Sequence, residues 1–248
     1  MKKIIYLIVL FFSLGLNAQN NEQLFEAGNK YFSNKEYELA LKNYLAIENK
    51  KAFSVELYYN IGNTYFRLNE YANSILYYER GLKLDPKNKN LNLNLKVAKS
   101  RLKGEVYIVP NFFLINWKNS IANLFTPNIW KLISILLLTA CGVVFVIYYF
   151  SINQKTILFY CFILLTLLFS ISIFSGFTRQ NQINDKAHAI VFGDRTIGKD
   201  SPEENSSDKI KMFKGQKIRI IDKDNNWVKV KTEDGKEAWI EDKDIIII

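Results

Sequence analysis

A chain of 248 residues, 49% hydrophobic and 15% aromatic, holds one or two domains by length alone. Its formal charge of +9 is unevenly spread: residues 20–104 carry 14 Lys/Arg against 9 Asp/Glu, and residues 179–248 carry 14 of each. Basicity in the first part favours an acidic partner or anionic lipid head groups, while the lack of a dense Lys/Arg run or a nucleic-acid module argues against nucleic acid. Cys141 and Cys161 both lie in apolar runs and His188 is the only histidine. Disulfides and Cys-ligated metals are thereby excluded from the polar parts, and histidine-based catalysis is confined to one neighbourhood.

The chain opens with Lys2 and Lys3, an apolar stretch from Ile4 to Leu16, and a polar turn at Asn17. That is the layout of a secretory signal peptide over residues 1–18, cut after Ala18. Leu16 at the minus-three position is larger than usual, which keeps retention as an uncleaved anchor open. Either way the segment that follows is exported.

Residues 20–104 repeat themselves. Gly28, Tyr31, Tyr37, Ala40 and Tyr44 recur as Gly62, Tyr65, Tyr71, Ser74 and Tyr78, each 34 residues on. Small and aromatic residues matched at that period are the signature of a tetratricopeptide repeat (TPR), in which such positions pack one helix on its partner. Asp85-Pro86 closes the second repeat. A further helix carries Leu91, Leu95, Ala98 and Leu102 on one face and reads as a cap. Two and a half repeats are marginal for a stack whose units bury their faces on one another, so the module is expected to lean on another surface. The same offset pairs Asn29 with Asn63, Asn60 with Asn94, and Arg67 with Arg101. These are expected to line the concave groove and hold an extended peptide's backbone or carboxylate; a merely solvated face is the alternative.

Residues 105–128 form an aromatic linker, with Phe112, Phe113, Trp117, Ile121, Leu124 and Phe125 among polar neighbours. A short helix lying on the outer leaflet is expected, or else a linker packed on the repeats, with Trp130 anchoring the start of the next element. Between Lys131 and Arg179 the only charge is Lys155. Two spans, 129–151 and 156–178, are each long enough to cross a bilayer. Their turn is too short to cross anything, so they form an antiparallel hairpin and the flanking modules share one compartment. Loop charges add little to that topology.

Residues 186–248 read as short strands. Lys217–Ile220 and Trp227–Lys231 alternate around an Asp224-Asn225-Asn226 turn, and Asp234-Gly235 turns the chain into Glu237–Ile240. Residues 199–208 read as one long exposed loop. This order resembles a bacterial SH3 domain, a small barrel. Trp227 is a candidate ligand platform, Trp239 is expected in the core, and His188 belongs to the first strand. The expected fold class is thus multi-part: an all-α TPR helical repeat, a transmembrane α-helical hairpin and an all-β SH3-like small barrel.

No acidic pair, activated nucleophile, metal-ligand cluster or glycine-rich phosphate loop stands out, so neither catalysis nor a cofactor or metal is expected. Signal peptide, TPR, aromatic stretch, two spans and terminal barrel together resemble the BatE-like proteins of the bacterial aerotolerance (Bat) operon. The resemblance implies an inner-membrane protein with both soluble modules periplasmic, working beside membrane-anchored von Willebrand factor A domain proteins and a MoxR-type ATPase. It points to an adaptor in an envelope complex linked to stress or oxygen tolerance. A cell-wall sensor or anchor, its barrel binding peptidoglycan peptides, is the alternative.

Overall fold

The computed structural model describes residues 20–102 and 113–248. The expected signal peptide and Phe112 of the linker lie outside those residues. The chain divides into two compact units, the helical repeat together with the C-terminal sheet, and the segment from the linker through the apolar hairpin.

In the first unit, α1 (20–33), α2 (Tyr37–Asn49), α3 (Val55–Arg67), α4 (Tyr71–Leu84) and α5 (Lys89–Ser100) follow in antiparallel succession. Side chains set where these helices begin: Ser54 Oγ accepts from Leu57 N at 3.0 Å, and Asn88 Oδ1 accepts from Leu91 N at 3.1 Å. The turns inside the two repeats are built alike, with Lys35 (φ 66°) and Asn69 (φ 63°) in the left-handed region 34 residues apart. A Cβ on Gly28 would lie 2.5 Å from Tyr44 Cε1, and one on Gly62 2.5 Å from Tyr78 Cε1. Glycine at that repeat position is therefore what lets the tyrosine of the second helix close on the first, and both tyrosines are buried. Leu91, Leu95 and Ala98 are the buried face of α5.

The sheet comprises β1 (His188–Val191), β2 (Thr196–Lys199), β3 (Asp208–Met212), β4 (Lys217–Asp224), β5 (Trp227–Thr232), β6 (Glu237–Glu241) and β7 (Ile245–Ile247), in the order β3-β2-β6-β5-β4-β1-β7. All pairings are antiparallel, and register shifts at Gly198/Lys199 and Ile220/Asp222 bend the sheet into an SH3-like barrel. Its core is Ala189, Val191, Met212, Ile218, Val228, Val230, Ala238, Ile240 and Ile245. Strand alternation gives β1 two buried faces: Ala189 and Val191 enter this core, while Ile190 points the other way into the helical core, joined there by Phe192 and Ile248. The repeat does lean on another surface, and that surface is the barrel.

Trp239 corrects the sequence reading, for it is only partly buried. On β6 the buried positions are Ala238 and Ile240, so alternation turns Trp239 to the opposite face. Bulk was the reason to expect it inside, but residues from other strands, Met212 of β3 and Ile218 of β4 among them, already fill the core.

In the second unit, α7 (Pro127–Phe150) and α8 (Lys155–Asn184) are long and apolar enough to cross a membrane, and only 6% of each apolar window is buried, unlike a soluble core helix. Thr126 caps α7 ahead of a proline in its first turn. The helices meet through small residues: Ser134 and Ser172 hydroxyls are 2.8 Å apart, and a Cβ on Gly176 would lie 3.2 Å from Trp130 Cβ. α8 continues six residues beyond the expected span, past the buried Arg179, whose Nη1 donates to Gln182 Oε1 at 3.2 Å. The linker forms α6 (Phe113–Ala122), which packs on α8: Gln182 Nε2 donates to Asn119 Oδ1 at 3.0 Å. Trp130 is buried and donates from Nε1 to Ala122 O at 3.0 Å, so it fastens the end of α6 to the start of α7.

Candidate functional site

The paired asparagines of the repeat form two copies of one hydrogen-bonded unit. The Tyr44 hydroxyl donates to Asn29 Oδ1 at 2.7 Å, and Asn60 Nδ2 donates to the same oxygen at 3.0 Å. One repeat later the Tyr78 hydroxyl donates to Asn63 Oδ1 at 2.7 Å and Asn94 Nδ2 at 2.8 Å. Both lone pairs of each accepting carbonyl are used, which fixes the amide's orientation. The amide nitrogens of Asn29 and Asn63 and the oxygens of Asn60 and Asn94 then have no partner among the described residues. Burial pushes the phenols of Tyr44 and Tyr78 up to about 12, so both remain donors at neutral pH.

Asn63, Arg67 and Asn94 line a hollow of about 320 Å³ together with Phe32, Tyr59 and Tyr78. Asn29 and Asn60 sit one repeat earlier, outside it. Arg101, the residue that follows the end of α5, does not line it either. Arg67 and Arg101 are exposed and form no ion pair among the described residues. The hollow therefore has an apolar and aromatic wall, amides of fixed orientation, and one guanidinium that no carboxylate among the described residues neutralises. Sequence reasoning placed these polar residues at repeat-related positions but missed the tyrosine donors. Asn29 and Asn63 each precede their tyrosine by 15 residues, and that second periodicity was the available signal.

The outer side of α4 is also charged, but there the charges are satisfied. Glu79, 7% exposed, accepts Lys217 Nζ at 2.7 Å and lies 3.3 Å from Lys99 Nζ. Burial raises its carboxyl, and the two ammonium groups outweigh that, holding it below the ordinary 4.5. Arg80 pairs with Glu48 at 3.0 Å and donates to Ile247 O at 3.3 Å, while Lys83 Nζ donates to Ile248 O at 2.9 Å.

On the barrel, Trp227 is partly buried. Trp227 faces Glu241 across the β5–β6 ladder, Lys229 faces Trp239, and Lys199 faces Trp239 from β2. Both tryptophans thus share the outer face as diagonal neighbours, laced by Lys229 and Lys231 on Glu237 at 3.4 Å each. Among the described residues no cluster of His, Cys, Asp and Glu is arranged to hold a metal ion.

Compared with known families, residues 55–88 are similar to the tetratricopeptide repeat and residues 201–245 to the bacterial SH3 domain. Both are typically interaction modules without catalysis. No curated protein matches the chain.

Proposed function

We propose that the chain is a non-enzymatic, membrane-tethered adaptor whose TPR groove receives an extended segment of a partner protein. The observation that carries this reading is the Arg67 guanidinium, without an ion pair among the described residues, beside the Asn63 and Asn94 amides. A carboxylate or main-chain carbonyl entering the hollow meets a planar, two-pronged donor. Amides held at one-repeat intervals, Asn29 with Asn60 and Asn63 with Asn94, suit main-chain N–H and C=O groups and so tolerate varied sequence. Arg101 extends the positive field that draws an acidic segment in. The order of signal sequence, TPR, apolar hairpin and SH3-like barrel supports periplasmic placement of both modules at a bacterial inner membrane. Its resemblance to BatE-like proteins supports membrane-anchored von Willebrand factor A domain proteins as partners, in a Bat and MoxR-type complex serving stress or oxygen tolerance.

Photo-crosslinking from Val97, which lines the hollow, tests the groove in intact membranes. Arg67→Ala combined with Arg101→Ala should abolish the wild-type crosslinks; undiminished yield would overturn the reading. A second reading is favoured by the two tryptophans on one barrel face: the barrel binds cell wall. The detergent-solubilised full chain should then sediment with purified peptidoglycan, and Trp227→Ala with Trp239→Ala should leave it in solution. Failure of the unaltered chain to sediment disposes of that reading.

A further inference from the structure

Repeat 1 and repeat 2 are built to the same plan, yet their outer sides differ at a few positions. In repeat 1, Leu41, Leu45, Ala46, Asn49 and Leu68 line an open hollow of about 700 Å³. The positions 34 residues on are Ile75, Glu79, Arg80, Lys83 and Leu102, and the barrel meets every one of them. Lys217 reaches Glu79, Ile247 O accepts from Arg80, and Ile248 O accepts from Lys83. The β3–β4 turn fills the floor: a Cβ on Gly215 would overlap Leu102 Cδ1 and lie 3.3 Å from Ile75 Cδ1. Gly215 also has φ +83°, so this approach needs glycine twice over. Of these five positions four differ between the repeats, and three of the four, Leu45 to Glu79, Ala46 to Arg80 and Asn49 to Lys83, supply the groups that bond the barrel.

We infer that the SH3-like barrel is the capping element of the helical repeat, closing on repeat 2 the hollow that stays open on repeat 1, and that it holds α5 against the stack. A repeat stack needs a terminal unit that covers the last apolar face. α5 alone leaves the last hollow open, and the barrel covers it with Ile190, Phe192 and Ile248. Lys99 of α5 and Lys217 of the barrel converge on the one buried carboxylate of Glu79, so α4, α5 and the barrel are tied at a single point. The consequence deepens the groove reading and rests on it in one respect only: α5 carries Asn94 and leads into Arg101, so the groove is complete when the barrel is docked. The barrel's docked side is β1, β7 and the β3–β4 turn, which leaves the Trp227 and Trp239 face open.

Amide hydrogen exchange on the detergent-solubilised full chain tests this without any groove ligand, so its failure leaves the groove reading standing. Lys217→Glu places like charge against Glu79 and should speed the slowest amides of Lys89–Ser100 by about tenfold to a hundredfold, the value of a charged hydrogen bond. Amides of Tyr37–Asn49 should change far less. Gly215→Leu, which acts on Leu102 rather than on Glu79, should give the same pattern and so separates loss of docking from a purely local charge effect. Exchange of β5 amides reports whether the barrel itself stays folded. Loss of α5 protection with either a folded or an unfolded barrel supports capping. Unchanged α5 protection in both variants overturns it.

Discussion

At the ends of α3 and α5, Arg67 and Arg101 meet no carboxylate among the described residues, whereas on the outer side of α4 the buried Glu79 holds two lysines and Arg80 is shared between Glu48 and a main-chain carbonyl. The two sets sit on different helices of one stack, Arg67 and Arg101 at the ends of α3 and α5, Glu48, Glu79 and Arg80 on α2 and α4. They differ in whether the chain itself supplies the partner. Where it does, as with Lys217 on Glu79, the charge fixes one module on another. Where it does not, the charge and the amides beside it stand open to a partner from outside. Substitutions should therefore sort cleanly, outer-face changes altering stability and changes to the arginines of the proposed groove altering binding.

The framework beneath both faces gives the largest expected effect. Gly62→Leu drives a branched side chain into the Tyr78 ring, 2.5 Å from where its Cβ must lie. Overpacking of this kind should cost about 3 kcal/mol or more and unfold the repeat, removing α-helical circular dichroism from the first unit at ambient temperature. A variant that melts like the unaltered chain would mean that the repeat is packed otherwise.

Next comes the outer face in acid. Glu79 is held below its ordinary 4.5 because Lys217 and Lys99 outweigh its burial. A carboxyl whose folded value is depressed stabilises the fold above the unfolded value and loses that contribution as pH falls through the folded one. The seam between barrel and repeat should accordingly be insensitive to pH between about 5 and 8 on account of this group, and weaken below 4.5. Thermal melts across that acid limb should show a steep fall in the unaltered chain and a shallower one for Glu79→Gln. Superimposable acid limbs would remove Glu79 as the cause.

A smaller effect separates the asparagines from the arginines of the proposed groove. Asn63→Ala deletes the acceptor of the Tyr78 hydroxyl, and Tyr78 is 1% exposed. A buried donor left without a partner costs about 1 to 3 kcal/mol, so this variant should melt measurably earlier although its side chain faces the groove. Tyr78→Phe in the same background should recover part of the loss, because the orphaned hydroxyl is then gone. No recovery would mean that Asn63 acts through contacts other than the phenol.

The helical repeat was legible because a 34-residue offset is arithmetic that survives without coordinates, and it placed Asn29, Asn60, Asn63, Arg67, Asn94 and Arg101 at repeat-related positions. What escaped had physical reasons. Tyr44 and Tyr78 were accounted for as packing residues, and nothing local reveals that a ring filling a core also donates from its hydroxyl. Trp239 was placed inside because so short a strand can be read in either phase, and size pointed one way while Ala238 and Ile240 fixed the other. The ion pair of Glu79 with Lys217 spans 138 residues, a separation no periodicity encodes. The need for some covering surface was visible in the half repeat; which surface was not.

The smallest stability change belongs to Arg67→Ala, and it is the sharpest test of the comparison. Arg67 is exposed and without an ion pair among the described residues, so its removal breaks no bond that holds the fold and should shift stability by less than about 0.5 kcal/mol. The same substitution takes away the one guanidinium that lines the hollow beside Asn63 and Asn94. Loss of a charge-assisted contact to a bound carboxylate should weaken the partner's hold by about 1.5 to 3 kcal/mol, or roughly tenfold to a hundredfold. Melting temperature and crosslink yield measured on the same preparation should therefore diverge, the first unmoved and the second largely lost. Asn63→Ala should move both, and Lys217→Met on the outer face should move melting before it touches yield. A clear melting loss for Arg67→Ala with unchanged crosslinks would reverse the assignment, making Arg67 part of the frame and leaving the barrel face or the apolar hairpin as the seat of partner binding.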